Sequence, residues 1–407
     1  MKLNSAFMLS VFVPILFLAM TTTNTHATSF IDKYMFDPDD GMLDASRYLS
    51  EVPLGFLPVP TIITEPATGN GLALLGVFFH ESDEQKKQRI THSSSKHFVL
   101  PSNISLVGAG ATANGSKGFG FGHMGFWLKD TVRYKGYLLY SDFNLDFYSL
   151  GGTDLKRPIE LNINGPIVLQ ELKMRLGESK WFLGGRQVYR SVETSLANVK
   201  NVSLLPTDSL NDTVNNFLDQ HLSQSVTTSG LGLLAEYDSR NNPMNPEYGY
   251  DYQLHITRFD DTIGSDVDYM SYHFEGLNYW QLSKNFLFAL RLQYDGVNAN
   301  DDVNLPSYVP PSVDLRGVPA MRYQGNKVAV SEIEFTYKYN YRWKFNVFTG
   351  VGRAAQSFSE LSSAESVHNY GVGFRYLIAK RYGFTMGTDL AKGPEDTVIY
   401  IQAGSTW

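Results

Sequence analysis

The feature that most constrains this chain is the regular alternation of apolar and polar side chains in its C-terminal half. Between residues 332 and 340 the odd positions are Ile, Phe or Tyr, and the even positions are Glu, Thr, Lys and Asn. The same alternation returns in further segments, namely 250–256, 286–293, 343–351, 371–378 and 382–390. A period of two residues is typical of a β-strand whose faces meet different surroundings. The pattern therefore predicts an all-β protein.

The composition favours a transmembrane β-barrel over a soluble β-sandwich, although a sandwich could show the same alternation. Aromatic residues make up 14% of the chain, which also holds 35 glycines, yet its mean hydropathy is -0.20. A closed antiparallel barrel with lipid outside and water inside accounts for these facts, because each strand gives half of its residues to each solvent. No later segment offers the roughly 20 consecutive apolar residues of a spanning helix.

The first residues have the pattern of a cleavable signal peptide. Lys2 precedes an apolar run from Phe7 to Met20, and Ala27 ends the polar stretch that follows. This order predicts export, with cleavage after Ala27. The sequence then divides into a signal peptide, a short periplasmic or plug segment and a barrel, at residues 1–27, 28–60 and 61–407.

The chain ends in a strand whose last residue is aromatic. A terminal Trp407 is expected at the aromatic girdle near the membrane surface. Ile401 and Trp407 also resemble the C-terminal signal by which outer-membrane barrels are recognised for insertion. With the signal peptide, this ending predicts the outer membrane of a Gram-negative bacterium. The expected partners are its lipids and the barrel insertion machinery.

The alternating segments give sixteen strands only if one more reversal is added. Counting from Gly71 onward yields an odd number, whereas single-chain bacterial barrels have an even number. Asn164-Gly165, a dipeptide favoured in hairpins, is the first choice for the missing turn. A break near Ser141 is the alternative, because the apolar face switches there. Residues 192–224 are polar and are predicted to form an external loop.

Several classes of function are disfavoured by composition. The formal charge of -7 argues against nucleic acid as a partner, because no basic stripe is present to replace phosphate counterions. The absence of cysteine excludes disulfides and makes a zinc site improbable. We expect no cofactor and no metal.

Three motifs that suggest chemistry are better explained structurally. Residues 350–355 match a dinucleotide-binding glycine pattern, but they continue a strand, so we interpret them as inward glycines that admit a loop. Four aspartates between Asp37 and Asp44 fail the spacing of a calcium loop and are expected to form a solvated turn with a helix N-cap. The nine histidines show no recognisable pairing with Ser and a carboxylate, so we expect no enzyme.

The most informative stretch runs from Leu315 to Gly325, in a long connection rich in Pro and Gly. As an ordinary external loop it would be solvated. Arg316, however, stands among Leu, Val and Pro, which suits a loop folded into the barrel lumen, where the charge would need an inward carboxylate. The alternation supplies three candidates for that carboxylate: Glu332, Glu334 and Asp389. The other loop residues of interest are Leu315, Gly317, Arg322, Tyr323 and Gly325.

These motifs resemble the bacterial surface antigen superfamily, which includes the barrels of BamA and TamA. The resemblance places the family's Arg-Gly motif of the sixth external loop on Leu315, Arg316 and Gly317, and a periplasmic turn on 238–249. One departure is Gly350, which stands where the family has an Asp two residues after an aromatic residue. The thirty or so residues between Ala27 and the barrel would leave no room for periplasmic repeat domains.

The resemblance implies transport or insertion of a protein or lipid client at the outer membrane. Two alternatives stay open from the sequence. One is a passive or gated diffusion channel of the porin kind. The other, less favoured, is an outer-membrane lipid hydrolase.

Overall fold

The chain forms a sixteen-stranded antiparallel sheet that closes almost completely into a barrel, as the alternation predicts. The computed structural model describes residues 30–51, 57–65, 67–80, 103–150, 153–197, 224–300, 303–404 and 407. Each strand pairs with its sequence neighbours in an unbroken order from β1 to β16. The predicted signal peptide lies outside the described residues, as does most of the polar loop at 192–224.

The strands have the following bounds: β1 Leu57–Ile63, β2 Gly71–His80, β3 Asn103–Thr112, β4 Lys117–Trp127, β5 Val132–Leu150, β6 Thr153–Arg175, β7 Trp181–Leu196, β8 Gln224–Asp238, β9 Gly249–Phe259, β10 Tyr269–Gln281, β11 Phe286–Ala299, β12 Lys327–Lys338, β13 Trp343–Ala355, β14 Val367–Ala379, β15 Phe384–Lys392 and β16 Thr397–Ala403. Two short helices precede them, α1 (Phe30–Tyr34) and α2 (Ser46–Glu51). No helix in the described part of the chain is long and apolar enough to cross a membrane.

The two faces of the barrel have the polarity that a membrane requires. On the outside, Leu233 is 75% exposed and Tyr370 is 64% exposed. On the inside, Glu332 and Asp389 are fully buried. This arrangement inverts that of a water-soluble protein, and it is stable when lipid covers the outer face. The prediction of a transmembrane barrel with apolar exterior and polar interior is confirmed at the level of the fold.

The sixteenth strand is not where the sequence placed it. It is β1, which pairs with β2 from Leu57 to Ile63, so that the barrel begins four residues before the expected boundary at residue 61. The sequence analysis did not predict this strand because it contains Pro58 and Pro60, and proline is uncommon in a sheet except at an edge. β1 is indeed the first strand and lies at an edge of the order.

The extra hairpin predicted at Asn164-Gly165 is therefore wrong, and so is the alternative break at Ser141. β5 and β6 pair continuously through both positions, and the Ser141 hydroxyl donates to the Gly165 carbonyl at 3.1 Å. A Cβ on Gly165 would lie 2.1 Å from the carbonyl oxygen of Ser191, so the glycine allows close strand contact instead of a turn. The apolar face switches near Ser141 because the outer half of β5 packs inward, where Phe147 joins a buried cluster.

Candidate functional site in the barrel lumen

The connection between β11 and β12, the sixth external loop, folds back into the barrel. Val313 and Leu315 are buried against Val328, Val330 and Val367 of the wall. Two inward glycines make room for them. A Cβ on Gly350 would approach Leu315 Cδ2 to 2.8 Å, and a Cβ on Gly352 would approach Val313 Cγ1 to 2.3 Å. The glycine pattern at 350–355 thus admits a loop, as interpreted from the sequence.

Arg316 of this loop forms ion pairs with three carboxylates of the barrel wall. Its Nε donates to Glu332 at 3.0 Å, and its Nη1 donates to Glu334 at 2.9 Å and to Asp389 at 3.0 Å. The guanidinium also lies over the Phe348 ring, 3.4 Å from its centre. We call Arg316 and its three carboxylates the loop latch. Glu332 and Glu334 share the inward face of β12 because they are two residues apart, and β15 supplies Asp389.

Further polar groups hold the acids of the latch in place. Arg375 donates to both carboxylate oxygens of Asp389, at 2.7 and 2.8 Å. The Asn369 amide donates to Glu332 at 2.9 Å and to the backbone carbonyl of Arg316 at 2.8 Å. Removal of one partner from such a buried network leaves an uncompensated charge, which is strongly destabilising. The loop is therefore fixed electrostatically as well as by packing.

Gly317 joins the loop to the last strand. Its φ of +85° lies in the left-handed region, and an added Cβ would lie 2.8 Å from the backbone nitrogen of Gly393. Its N–H donates to the Tyr400 hydroxyl of β16 at 2.9 Å. A glycine at this position thus satisfies both the backbone conformation and the close contact.

The remaining predicted loop residues lie nearer the external mouth. Arg322 pairs with Glu395 at 2.8 Å and stacks over Tyr148, while both members of the ion pair stay partly exposed. Tyr323 packs beside the buried valines of the loop, and Gly325 donates its N–H to the Pro311 carbonyl at 3.1 Å. These contacts tie the loop to its neighbours outside the latch.

Trp407 is not at the membrane girdle, where the sequence placed it. Its Nε1 donates to Oε2 of Glu332 at 2.9 Å, and its ring packs against the inward residues Leu277 and Tyr279. Continued alternation from Ile399 would have pointed residue 407 outward. Gly404, with a φ of +87°, ends that alternation. Ile401 stays in β16 opposite Thr388, and its role in an insertion signal remains a prediction.

The aspartates of the N-terminal segment form ion pairs, so the expectation of a solvated turn is wrong in its main point. Arg342, which is 1% exposed, donates to Asp37 at 2.7 Å, to Asp40 at 2.9 Å and to Asp44 at 2.6 Å. Asp44 also accepts from the Ser46 N–H at the start of α2 at 2.7 Å, which is the expected helix cap. We call residues 30–51 the N-terminal clasp.

The clasp contacts strands at both ends of the barrel order. Leu49 of α2 is buried with Leu57 and Val59 of β1 and with Ile378 of β14 and Phe384 of β15. Lys380, in the turn between β14 and β15, adds a hydrogen bond to Asp37 at 3.0 Å. The clasp lies at the end of the barrel that carries the short turns, which in such barrels is periplasmic.

A second ionic network on the inner wall was missed by the sequence analysis. Arg133 donates to Asp130 at 2.6 Å, to Glu236 at 2.8 Å and to Asp238 at 2.6 Å, and all four are buried. The network joins β5 to β8 across about a hundred residues of sequence. Inward acids opposite an inward Arg are the signal that could have found it.

The first and last strands meet at a junction that differs from the rest of the wall. No ladder joins β1 and β16 within the described residues, whereas every other neighbouring pair forms one. The Thr64 hydroxyl donates to the Ile399 carbonyl across this gap. Pro58 and Pro60 of β1 have no N–H to offer a ladder. We call the junction of β1 and β16 the seam.

Among the described residues, one group of acids could be arranged around a metal ion: Asp260, Asp261 and Asp268 of an external loop. Asp260 is occupied by hydrogen bonds from the N–H and hydroxyl of Thr262, at 3.1 and 2.7 Å. Asp261 is exposed and the other two aspartates are half-buried, and the cluster carries no further sign of a ligand. We assign it no function.

Together these features define an outer-membrane-type β-barrel whose lumen holds its own sixth loop, latched by an Arg-Gly motif. Residues 174–308 match the Omp85 superfamily domain. The resemblance to BamA-type barrels expected from the sequence is therefore confirmed. Barrels of this superfamily reside in the outer membrane of Gram-negative bacteria, and its members are transport and assembly proteins.

Solved structures show the same fold at low sequence identity. BamA from Haemophilus ducreyi lacking POTRA domains 1-3 superposes with a TM-score of 0.51 and 12% identity, over 86% of this chain and 69% of that one. CdiB from Escherichia coli superposes with a TM-score of 0.52 and 11% identity, over 85% of this chain and 62% of that one. CdiB from Acinetobacter baumannii superposes with a TM-score of 0.50 and 10% identity, over 86% of this chain and 59% of that one. This chain thus spans less than two thirds of either CdiB chain. No curated protein sequence matches it.

Proposed function

We propose that this protein moves a polypeptide client across or into the outer membrane, through a seam that opens when the loop latch is released. The observation that carries the proposal is the combination of a buried, ion-paired Arg316 with a barrel wall that lacks a ladder at one junction. The latch would hold the loop across the lumen until a client arrives. The unpaired edges of β1 and β16 would then offer backbone groups to an incoming strand.

Three contacts support a coupling between the latch and the seam. Gly317 of the loop is bonded to Tyr400 of β16, and Trp407, which follows β16, is bonded to Glu332 of the latch. The clasp packs on β1 from one side of the seam and on β14 and β15 from the other. Release of the loop would therefore loosen β16, and movement of the clasp would loosen both sides of the seam.

A steady diffusion channel is less well supported. The sixth loop and Trp407 lie in the lumen, and the clasp lies at its periplasmic end. A cavity beside the latch, lined by Glu334, Lys344, Arg375 and Trp407, measures about 50 Å³. A cavity of that volume holds a few water molecules.

The test is a disulfide that locks the seam, which is feasible because the chain has no cysteine of its own. Thr64→Cys with Ile399→Cys joins the two residues that are bonded across the seam. Leu390→Cys with Ile399→Cys is the matched control, since these residues are register partners within the β15–β16 ladder. Both pairs are expressed in the source bacterium in place of the native protein.

We expect the oxidised seam pair to reproduce the effect of gene deletion on the outer-membrane and secreted proteomes, and the reduced pair and the control to behave as the native protein. Unchanged proteomes on locking and on deletion would overturn the proposal. A steady conductance of the native protein in planar bilayers would then assign a channel. A change in outer-membrane lipid composition alone would assign a lipid client.

A further inference from the structure

A polar cluster lies on the outer, lipid-facing surface of the barrel near the start of the strand order. Ser105 of β3 stands between two histidines: its hydroxyl is 3.0 Å from His80 Nε2 of β2 and 2.9 Å from His123 Nδ1 of β4. The alternation places all three outside. Val107, two residues from Ser105, is 50% exposed, and Phe121, two residues from His123, is 53% exposed.

Aromatic rings continue the cluster toward the periplasmic end. Trp127 and Tyr134 are stacked with ring centres 5.6 Å apart, and the His123 ring lies 6.4 Å from Trp127 and 6.2 Å from Tyr134. The Tyr134 hydroxyl donates to Gln170 on β6 at 3.2 Å. Trp and Tyr at such a position mark the level where the head groups of the membrane begin.

The cluster is costly unless a polar ligand covers it. Outward groups at this level meet lipid, and a buried polar group without a partner costs about 1–3 kcal/mol in proteins. One hydroxyl cannot satisfy four imidazole nitrogens. Among the described residues, neither His80 Nδ1 nor His123 Nε2 has a hydrogen-bond partner. Within the described part of the chain, each ring therefore keeps one nitrogen for a further hydrogen bond.

The chemistry of the cluster selects a phosphate. When both rings are protonated, the Ser105 hydroxyl accepts from His80 Nε2 and His123 Nδ1, so that its own proton and the two remaining imidazole N–H groups are donors to anionic oxygens. Within the described residues no carboxylate forms a hydrogen bond or ion pair with His80, Ser105 or His123. The stacked rings beside it offer a flat apolar surface to the glycerol and acyl parts of a lipid. We propose that His80, Ser105 and His123 form a binding site for the phosphate of a phospholipid in the periplasmic leaflet.

The site begins on β2, which is separated from the seam by β1 alone. A phospholipid held there would occupy the bilayer directly beside the junction through which a client is proposed to leave. The lipid site is independent of that function, since it depends on the outer face of β2 to β4 alone.

Native mass spectrometry of the full chain in detergent tests the site with two probes, phosphatidic acid and diacylglycerol with the same acyl chains. The variant is His80→Phe with His123→Phe, which keeps aromatic groups on the lipid face. The control is His368→Phe. His368 is an exposed histidine at the start of β14, and it lies on the lipid face because Tyr370, two residues further on, is exposed there. Ser105→Ala serves as a milder variant if the double change fails to fold.

We expect the native protein and the control to retain phosphatidic acid and to release diacylglycerol. The double variant should bind phosphatidic acid about tenfold more weakly, and Ser105→Ala should bind it at an intermediate level. Equal retention of phosphatidic acid by native and variant proteins would overturn the site. Equal retention of both probes would assign recognition of acyl chains instead. A dimer that is lost in the variant would assign this face to a second copy of the chain.

Discussion

Trp407, the last residue, donates from its indole nitrogen to Oε2 of Glu332 at 2.9 Å, while Oε1 of the same carboxylate accepts from Arg316 at 3.0 Å. One buried acid thus joins the C-terminal end of the chain to the loop that crosses the lumen. Glu332 is fully buried, and these two donors, with the Asn369 amide, compensate its charge. This relationship makes the last strand and the sixth loop parts of one mechanical unit.

Charge reversal at the centre of that unit should release the loop. Arg316→Glu places a fourth acid among Glu332, Glu334 and Asp389, and loss of a buried ion pair costs about 3–5 kcal/mol. We expect faster protease cleavage within the loop and a higher conductance in planar bilayers. Arg322→Glu is the control on the same loop, because its partly exposed pair with Glu395 contributes about 0–1 kcal/mol. Equal protection of the loop in both variants would refute the latch.

Removal of the indole donor should weaken the unit without removing the terminal ring. Trp407→Phe loses the hydrogen bond to Glu332, and bonds to charged groups contribute about 1.5–3 kcal/mol. We expect a lower unfolding midpoint in detergent than for Trp343→Phe, a lipid-facing change of the same kind. A Trp407→Phe protein as stable as that control would show that the bond does not form in solution.

The inward glycines should be intolerant of side chains where the loop docks. Gly352→Ala puts a Cβ 2.3 Å from Val313, and overpacking of this kind costs about 1–3 kcal/mol. The control is Gly185→Ala, whose Cβ would come no closer than 3.8 Å to its neighbours. Hydrogen exchange of the loop amides should rise in the first variant and stay at the native level in the second. Exchange that is the same in both would mean that Val313 does not pack on the wall.

The clasp should detach in acid. The hydrogen bond from Arg342 lowers the pKa of Asp40 below its ordinary 3.8. Burial raises the pKa of Asp37, but the Asp39 N–H and Lys380 outweigh it, so that the pKa of Asp37 is also lowered. A carboxyl whose pKa is lower when docked stabilises docking above its ordinary pKa. That stabilisation is lost as the pH falls through the lowered values.

A spin label on Glu51→Cys, at the end of α2, measures this change. We expect an immobile label above the ordinary carboxyl pKa of about 4 and a label that becomes mobile as the pH falls through the lowered pKa values of the docked aspartates. In an Arg342→Ala background the label should be mobile at all these pH values. A label that stays as immobile as at pH 7 down to the lowest pH at which the barrel remains folded would contradict the ionic clasp.

The sequence predicted those features that depend on local alternation. Period two gave the strands of the C-terminal half and their inward faces, and those faces pointed to Glu332, Glu334 and Asp389, which the structure places around Arg316. Inward glycines at 350 and 352 were likewise interpreted correctly, because a strand that lacks side chains on one face leaves room for another segment.

The features that the sequence analysis missed or placed wrongly depend on contacts between residues far apart in the chain, which a local pattern does not show. β1 was missed because Pro58 and Pro60 argue against a strand unless its position at an edge is known. Trp407 was misplaced because Gly404 reverses the alternation just before it. The clasp escaped notice because Arg342 lies about three hundred residues from its aspartates. His80, Ser105 and His123 appeared scattered because three different strands bring them together.

The central claim is that the seam is a gate, and the distance across it is the most direct measurement. Spin labels at Leu72→Cys and Leu390→Cys lie on the lipid face of β2 and β15, three strand spacings apart across the seam. Leu172→Cys and Ile256→Cys are separated by three spacings within continuous ladders and serve as the control. Pulsed electron spin resonance in lipid bilayers gives both distance distributions.

We expect a single narrow distance for the control, in native protein and in the Arg316→Glu variant alike. For the seam pair we expect a closed distance in the native protein and a second, longer population that grows in Arg316→Glu. A seam distribution as narrow as the control, and unchanged by Arg316→Glu, would contradict the account.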